Sequence, residues 1–432
     1  MSDPLKSFDP LSRRLFIERC AKSAFGLSII PAIGGHSLIA ADAPKVAEAV
    51  KGGNGFGTAK RIIFLQLRGG MSHIDTFDPK DGASKGPVGA ISTKAGFRVS
   101  EFLPKTAAVA DKICVIRSMS AKVGVHAAAT YFMRTGYEQR GTIKHPSIGA
   151  WAQQYLGPSH ETLPSSVAVN HGSEHGNGFF PASFSPLPII DPDSGLQYST
   201  PYAGMRAIEE RLSLVNQMDV AFREKFPDEN IKAYNDFYDT TVRLMKSKDL
   251  KAFNITDEPE AIKTAYGNSK FGRGCLLARR LVENGVRYVE VSSGGWDMHN
   301  NLEDAMHDVG AQFDQAYATL ISDLSVRGLL DSTLVIVASE FGRKPDFSGS
   351  GRGHYPKVFS TVLAGAGVKR GYVHGASDAA GAEPVGDGVS IGNFHATIGW
   401  AAGFPLDKIV SAPNGRPFTV GNKSQPIKGV FA

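Results

Sequence analysis

Continuous apolar runs of about six residues recur along the chain, and three of them empty into glycine-containing loops that carry carboxylates or histidines. RIIFLQL (61–67) runs into RGGMSHIDTFDP, with His73 and Asp75. RYVEV (287–291) runs into SSGGWDMHNN, with Asp297 and His299. TLVIVAS (333–339) runs into EFGRKP, with Glu340 and Arg343. KICVIRS (112–118), SSVAVN (165–170) and FSTVLAGAG (359–367) are further predicted strands. Uninterrupted apolar strands belong to sheets buried on both faces. Helical spacing fills the intervals at 127–136, 147–157, 302–330 and 394–403, and CLLARRLVENG leads straight into RYVEVSS. Gly136 and Gly157 stand where helices stop. The alternation predicts an α/β fold: a doubly wound, mostly parallel sheet with helices on both faces.

Such sheets build their sites just past the carboxyl ends of their strands. The three loops therefore predict one shared polar site. Asp297 and His299 lie two apart, a spacing that points both side chains the same way in an extended loop. Asp75, Glu340, His354 in GSGRGHYP and His395 in the last predicted helix join them as candidate ligands. Mixed Asp, Glu and His donors suit a divalent transition metal, zinc or manganese, as one or two ions. Two ions can clamp the attacking and leaving oxygens of a phosphoryl or sulfuryl transfer.

Composition alters this little. Over 432 residues, 42% hydrophobic and 21% charged content is that of a soluble globular protein. The net charge of +5 comes without a dense Lys/Arg cluster, so no nucleic-acid partner is expected. The N-terminus says more. Ser12-Arg13-Arg14-Leu15-Phe16-Ile17 resembles a signal read by the twin-arginine translocase. AFGLSIIPAIGG (24–35) follows, too short and interrupted for a stable membrane span, and SLIAADA (37–43) suits cleavage near Ala41 or Ala43. The expected organisation is a signal at 1–43, a linker at 44–59 and one domain at 60–432 with a helical insertion at about 200–284. The expected location is periplasmic or extracellular, with no stable span after cleavage. Cys114 and Cys275 then remain, as buried free thiols.

His171-Gly-Ser-Glu174-His175 fits the H-x-x-E-H pattern of a zinc peptidase class, but Gly172, Gly176 and Gly178 argue against the helix it needs. No phosphate-binding P-loop and no G-x-S-x-G elbow is present.

The ordered set GG-x-SH-x-DTFDPK, a helix ending in TG, LARRLVE-x-GVR, GGWD-x-H, EFGR-x-P, GRGHYP and HATI resembles an exported, sulfatase-related bacterial family of unknown function. That family is similar in architecture to the alkaline phosphatase superfamily, and the resemblance covers roughly 60–430. It implies an alkaline phosphatase-like domain with metal at the strand ends and Asp75, Asp297, His299, Glu340 and His354 as ligands. It departs at the nucleophile. Alkaline phosphatases place Ser or Thr at the start of the helix that ends in T-G, and here that place in VHAAATYFMRTG is held by His126. Neither Cys114 nor Cys275 fits the sulfatase pattern C-x-[PA]-x-R. His126 thus stands as ligand, nucleophile or general base, with His73 as another proton carrier. Arg68 or Arg343 would hold the anion through a guanidinium fork.

Two functions are expected. One is an exported metal-dependent hydrolase of small or polymeric phosphate or sulfate esters. The other is a non-catalytic metal- or ligand-binding scaffold on the same fold. A carbohydrate-handling role rests only on Trp296, Tyr131 and Phe180 as exposed aromatics.

Overall fold

The computed structural model describes residues 54–171, 176–197 and 241–432, with isolated positions between 199 and 217. The expected export signal, most of the linker, Glu174, His175 and the first part of the insertion lie outside the described residues.

The strands that position the site are β1 (Arg61–Leu67), β2 (Ile113–Ser120), β3 (Ser166–Val169), β4 (Leu187–Ile189), β5 (Tyr288–Ser293) and β6 (Thr333–Ala338). A hairpin of β7 (Gly342–Arg343) and β8 (His354–Tyr355) follows, then β9 (Phe359–Ala364), β10 (Tyr372–His374) and β11 (Val389–Ser390). Among the described residues the main sheet has nine strands, in the order β10-β2-β9-β6-β1-β5-β3-β4, with β11 also paired to β2. The pairs β6-β1-β5-β3-β4 are all parallel. β9 runs antiparallel to both β6 and β2. The reason is the connection: β6 reaches β9 through the short β7–β8 hairpin at one rim, without a crossover helix to carry the chain back. The fold is therefore α/β and doubly wound, with a mixed sheet in which parallel pairs predominate.

Alternation along each strand fills both faces. Ile63, Leu65 and Leu67 of β1 pack on α3 (Lys270–Glu283) and α4 (Ala311–Val326) through residues such as Leu277 and Phe313. Ile62 and Phe64 face the other way, toward α1 (His126–Thr135), α2 (Ile148–Leu156) and α5 (Ile391–Ala402), through Met133, Trp151 and Phe394. The helix ends follow their chemistry. Ser147 caps α2, a reciprocal Ser390–Asn393 box caps α5, and Gly136 ends α1 in the left-handed conformation. The helical stretch from Leu302 is broken by a π turn at Met306–Gly310, closed by Gly310, a weak helix former. Cys114 and Cys275 are free and buried, and burial pushes the Cys114 thiol up to about 12. Among the described residues no helix is long and apolar enough to cross a membrane.

Candidate metal centre

The chain leaves β1, β5 and β6 at one rim, and hydrogen bonds join the three exits. Ser339 Oγ donates to the Leu67 carbonyl at 2.7 Å and accepts from Met71 N at 2.8 Å. Trp296 N donates to the Arg68 carbonyl at 3.2 Å. Gly69 has φ +125°, and a Cβ there would lie 2.3 Å from Asp297 N, so only glycine lets these two loops touch. Arg343, fully buried, pins the junction. Its guanidinium donates to the carbonyls of Gly70 (2.7 Å), Arg352 (2.8 Å), Trp296 (3.3 Å) and Gly69, and to Asp297 Oδ1.

Four side chains converge above this junction. His126 opens α1, Asp297 and His299 follow β5, and His354 begins β8. His126 Nε2 lies 3.3 Å from Asp297 Oδ2. His299 Nε2 lies 3.1 Å from Asp297 Oδ1, and His354 Nε2 lies 3.4 Å from the same oxygen. Donor atoms of His126, Asp297 and His354 all fall within 4.8 Å of one another. Buried Phe341 packs beneath two of the rings, 4.9 Å from His126 and 4.7 Å from His354.

The proton positions follow from the outer partners. His126 Nδ1 is 2.8 Å from Glu340 Oε1, and His354 Nδ1 is 2.9 Å from the Gly124 carbonyl. A carboxylate and a carbonyl accept, so both rings carry their proton on Nδ1 and present a bare Nε2 in the neutral form. Both bare nitrogens face the Asp297 carboxylate. His126 Nε2 is closed off from solvent and has no hydrogen-bond partner. Electron pairs converging on a carboxylate repel unless a cation lies among them. Partial desolvation raises the Asp297 pKa, but Arg343, then His126 and His299, outweigh it and hold the carboxyl below its ordinary value. Desolvation and Arg343 lower the His299 pKa against the pull of Asp297. The donor set, two imidazoles and a carboxylate with their outer atoms tied, fits a divalent transition ion.

Glu340 does not face the ion position as a ligand. It is buried, accepts from Gly69 N at 2.8 Å and from His126 Nδ1, and so orients His126 from behind. Glu340→Gln is expected to weaken ion binding by ~10–100-fold, the usual cost of losing a ligand-orienting carboxylate. Chelator competition on the folded variant measures this, and unchanged affinity would remove the orienting role.

Several expected site residues lie elsewhere. Asp75 is not brought to the cluster: it is buried against Arg352, with Nε 2.8 Å from Oδ2 and Nη2 3.3 Å from Oδ1, and it accepts from Ser72 Oγ. Arg343 does not face a substrate anion: it is fully buried, and its three guanidinium nitrogens donate to main-chain carbonyls and Asp297. His73 is buried and bonded to the Gly381 carbonyl at 2.9 Å, and burial lowers its pKa. His395 lies in the second turn of α5, bonded to the Met133 carbonyl at 2.7 Å and packed on Gly136. Gly136 is at the opposite end of α1 from His126, roughly 15 Å away at the helical rise per residue. Trp296, Tyr131 and Phe180 are all buried, which removes the exposed-aromatic argument for carbohydrate.

Burial drives the His395 pKa down to about 4 from 6.5. A base depressed in the folded state contributes stability that is full above pH 6.5 and is lost as pH falls toward 4. Denaturation midpoints should fall across that window in the wild type and less steeply in His395→Gln. Identical pH profiles would count against it.

Gly124 as a carbonyl acceptor and Arg352 as the partner of Asp75 emerge only in the fold. So does the role of Glu290, a buried carboxylate within β5 that pairs with Arg134 (3.0 Å) and His171 (3.2 Å). A glutamate inside an apolar run was the available signal, since burial demands a partner.

The family described as "Protein of unknown function (DUF1501)" matches residues 59–431. No curated protein matches the chain in sequence. Among solved structures, the lipoteichoic acid synthase LtaP from Listeria monocytogenes is similar at 10% identity and TM-score 0.38, over 84% of this chain and 76% of that one. PsFucS1 sulfatase from Pseudoalteromonas sp. is similar at 14% identity and TM-score 0.38, over 85% and 74%. Alkaline phosphatase from the Antarctic bacterium TAB5 is similar at 17% identity and TM-score 0.32, over 72% and 92%.

Proposed function

We infer that this chain, which belongs to the DUF1501 family of proteins of unknown function, holds one divalent transition ion, zinc or manganese, and hydrolyses phosphate or sulfate esters. The observation that carries this reading is the meeting of His126 Nε2, His354 Nε2 and both oxygens of Asp297 at a sheet rim, with both imidazole protons tied outward. An ion of this class, when bound, polarises an ester oxygen and acidifies water. The chain's own residues do the rest. Glu340 and the Gly124 carbonyl set the tautomers, and Arg343 fixes the Asp297 carboxylate.

Arg68 holds the substrate anion in this reading. Its main chain is fixed by Ser293 and Trp296, and its side chain is exposed. Among the described residues its guanidinium has no protein partner, and it stands in the turn directly after β1.

The alternative is a metal-binding scaffold without turnover. It is favoured by the first turn of α1, where Ala127, Ala128 and Ala129 follow His126 and offer no hydroxyl or thiol.

Elemental analysis of the protein as isolated, followed by a panel of aryl phosphates, phosphodiesters and aryl sulfates with added Zn or Mn, separates the two. Turnover that His126→Ala abolishes is expected from the hydrolase. A bound ion without turnover on any ester leaves the scaffold, and a metal-free protein that takes up no ion removes both.

The twin-arginine stretch further places the protein outside the cytoplasm in this reading. Replacing Arg13 and Arg14 by Lys should leave the precursor inside the cell. Unaltered location in a fractionation experiment would refute export by that route.

A further inference from the structure

His299 differs from the other donors in how it is held. Its Nε2 lies 2.9 Å from His354 Nε2 and 3.1 Å from Asp297 Oδ1, beside two of the three side chains whose donor atoms lie within 4.8 Å of one another. With His126, His354 and Asp297 it makes four protein donors, enough to fill a tetrahedral site. Structural zinc sites are closed in this way, whereas catalytic ones keep a position open.

The four are not equally anchored. The His126 and His354 rings are each tied at Nδ1 and packed on Phe341. His299 Nδ1 has no partner among the described residues, its side chain is 47% exposed, and its one ring contact is His354 at 4.7 Å. Its backbone, by contrast, is fixed. Arg352 N donates to the Met298 carbonyl at 3.1 Å, and Leu302 N donates to the Ser350 carbonyl at 2.9 Å. A Cβ on Gly351 would lie 2.3 Å from the His299 carbonyl, so the neighbouring loop clamps the main chain from outside. What remains free is rotation of the ring, a fast motion for an exposed side chain.

We propose that His299 is a displaceable fourth donor, closing the metal centre at rest and swinging aside when an oxyanion enters. This rests on the metal reading above and names how access to that site is regulated. The oxyanion replaces a neutral imidazole with a negative charge. His126, His354 and Asp297 stay in place because their outer atoms are tied.

The test uses the full chain reconstituted with Co(II) and inorganic phosphate as the probe, read by visible absorption and by phosphate affinity. His299→Ala should keep about one cobalt per chain. Its spectrum should lack one nitrogen donor, and it should bind phosphate about fivefold or more tighter, since a state that must open before binding weakens apparent affinity by its open fraction. His354→Ala should lose the ion. Loss of cobalt in His299→Ala as complete as in His354→Ala makes His299 a permanent ligand and overturns the proposal. A spectrum and phosphate affinity identical to wild type mean that His299 is no ligand, which overturns it equally. None of these readouts needs turnover, so failure on every ester would sink the hydrolase while leaving this test standing.

Discussion

Asp297→Ala is expected to strip the ion from the protein. Both carboxylate oxygens face imidazole nitrogens, Oδ2 toward His126 at 3.3 Å and Oδ1 toward His299 and His354 at 3.1 and 3.4 Å. Without the carboxylate the centre loses its negative charge and the group that touches all three histidines. The fall in affinity should exceed the ~10–100-fold that an orienting residue costs, because a ligand itself is lost. Stability should change little in the metal-free protein. Asp297 is 49% exposed, which limits its pair with Arg343 to about 0–1 kcal/mol, and Arg343 keeps its carbonyl acceptors. Elemental analysis after dialysis, together with chelator competition, checks the first point. Full metal occupancy in Asp297→Ala would end the assignment of this centre.

Asp75→Ala is expected to do the reverse: a large loss of stability with the ion retained. Asp75 and Arg352 are both fully buried, and the guanidinium also donates to the Ser84 carbonyl at 3.0 Å and stacks on Phe347 at 4.1 Å. Removing one member of a buried pair leaves the other charge uncompensated, a cost of about 3–5 kcal/mol. Denaturant titrations of chelator-treated wild type and variant should differ by that amount. If the variant instead lost metal and kept its stability, Asp75 would be a ligand after all.

The two aspartates show where legibility stopped. Each follows an apolar strand and a pair of glycines, and nothing nearby in sequence tells them apart. Asp75 is neutralised by an arginine 277 positions away, whereas Asp297 meets Arg343 with one oxygen and keeps the other turned toward His126. Arg343 itself looked free for an anion because its acceptors are main-chain carbonyls, which no side-chain pattern records. His395 sits one helix length from His126, a separation that only the packing of α5 on the far end of α1 reveals.

The strands, the helix stops and the rim that collects His126, Asp297, His299 and His354 were legible in the chain alone. Backbone conformation answers to local rules of periodicity, capping and glycine placement, and parallel strands deliver their exits to one edge. The tertiary structure decided which carboxylate stays available, which imidazoles are tied and which one is loose. Those roles depend on the nearest opposite charge or acceptor across the fold, and electrostatic partners are chosen by distance in space, not by position along the chain.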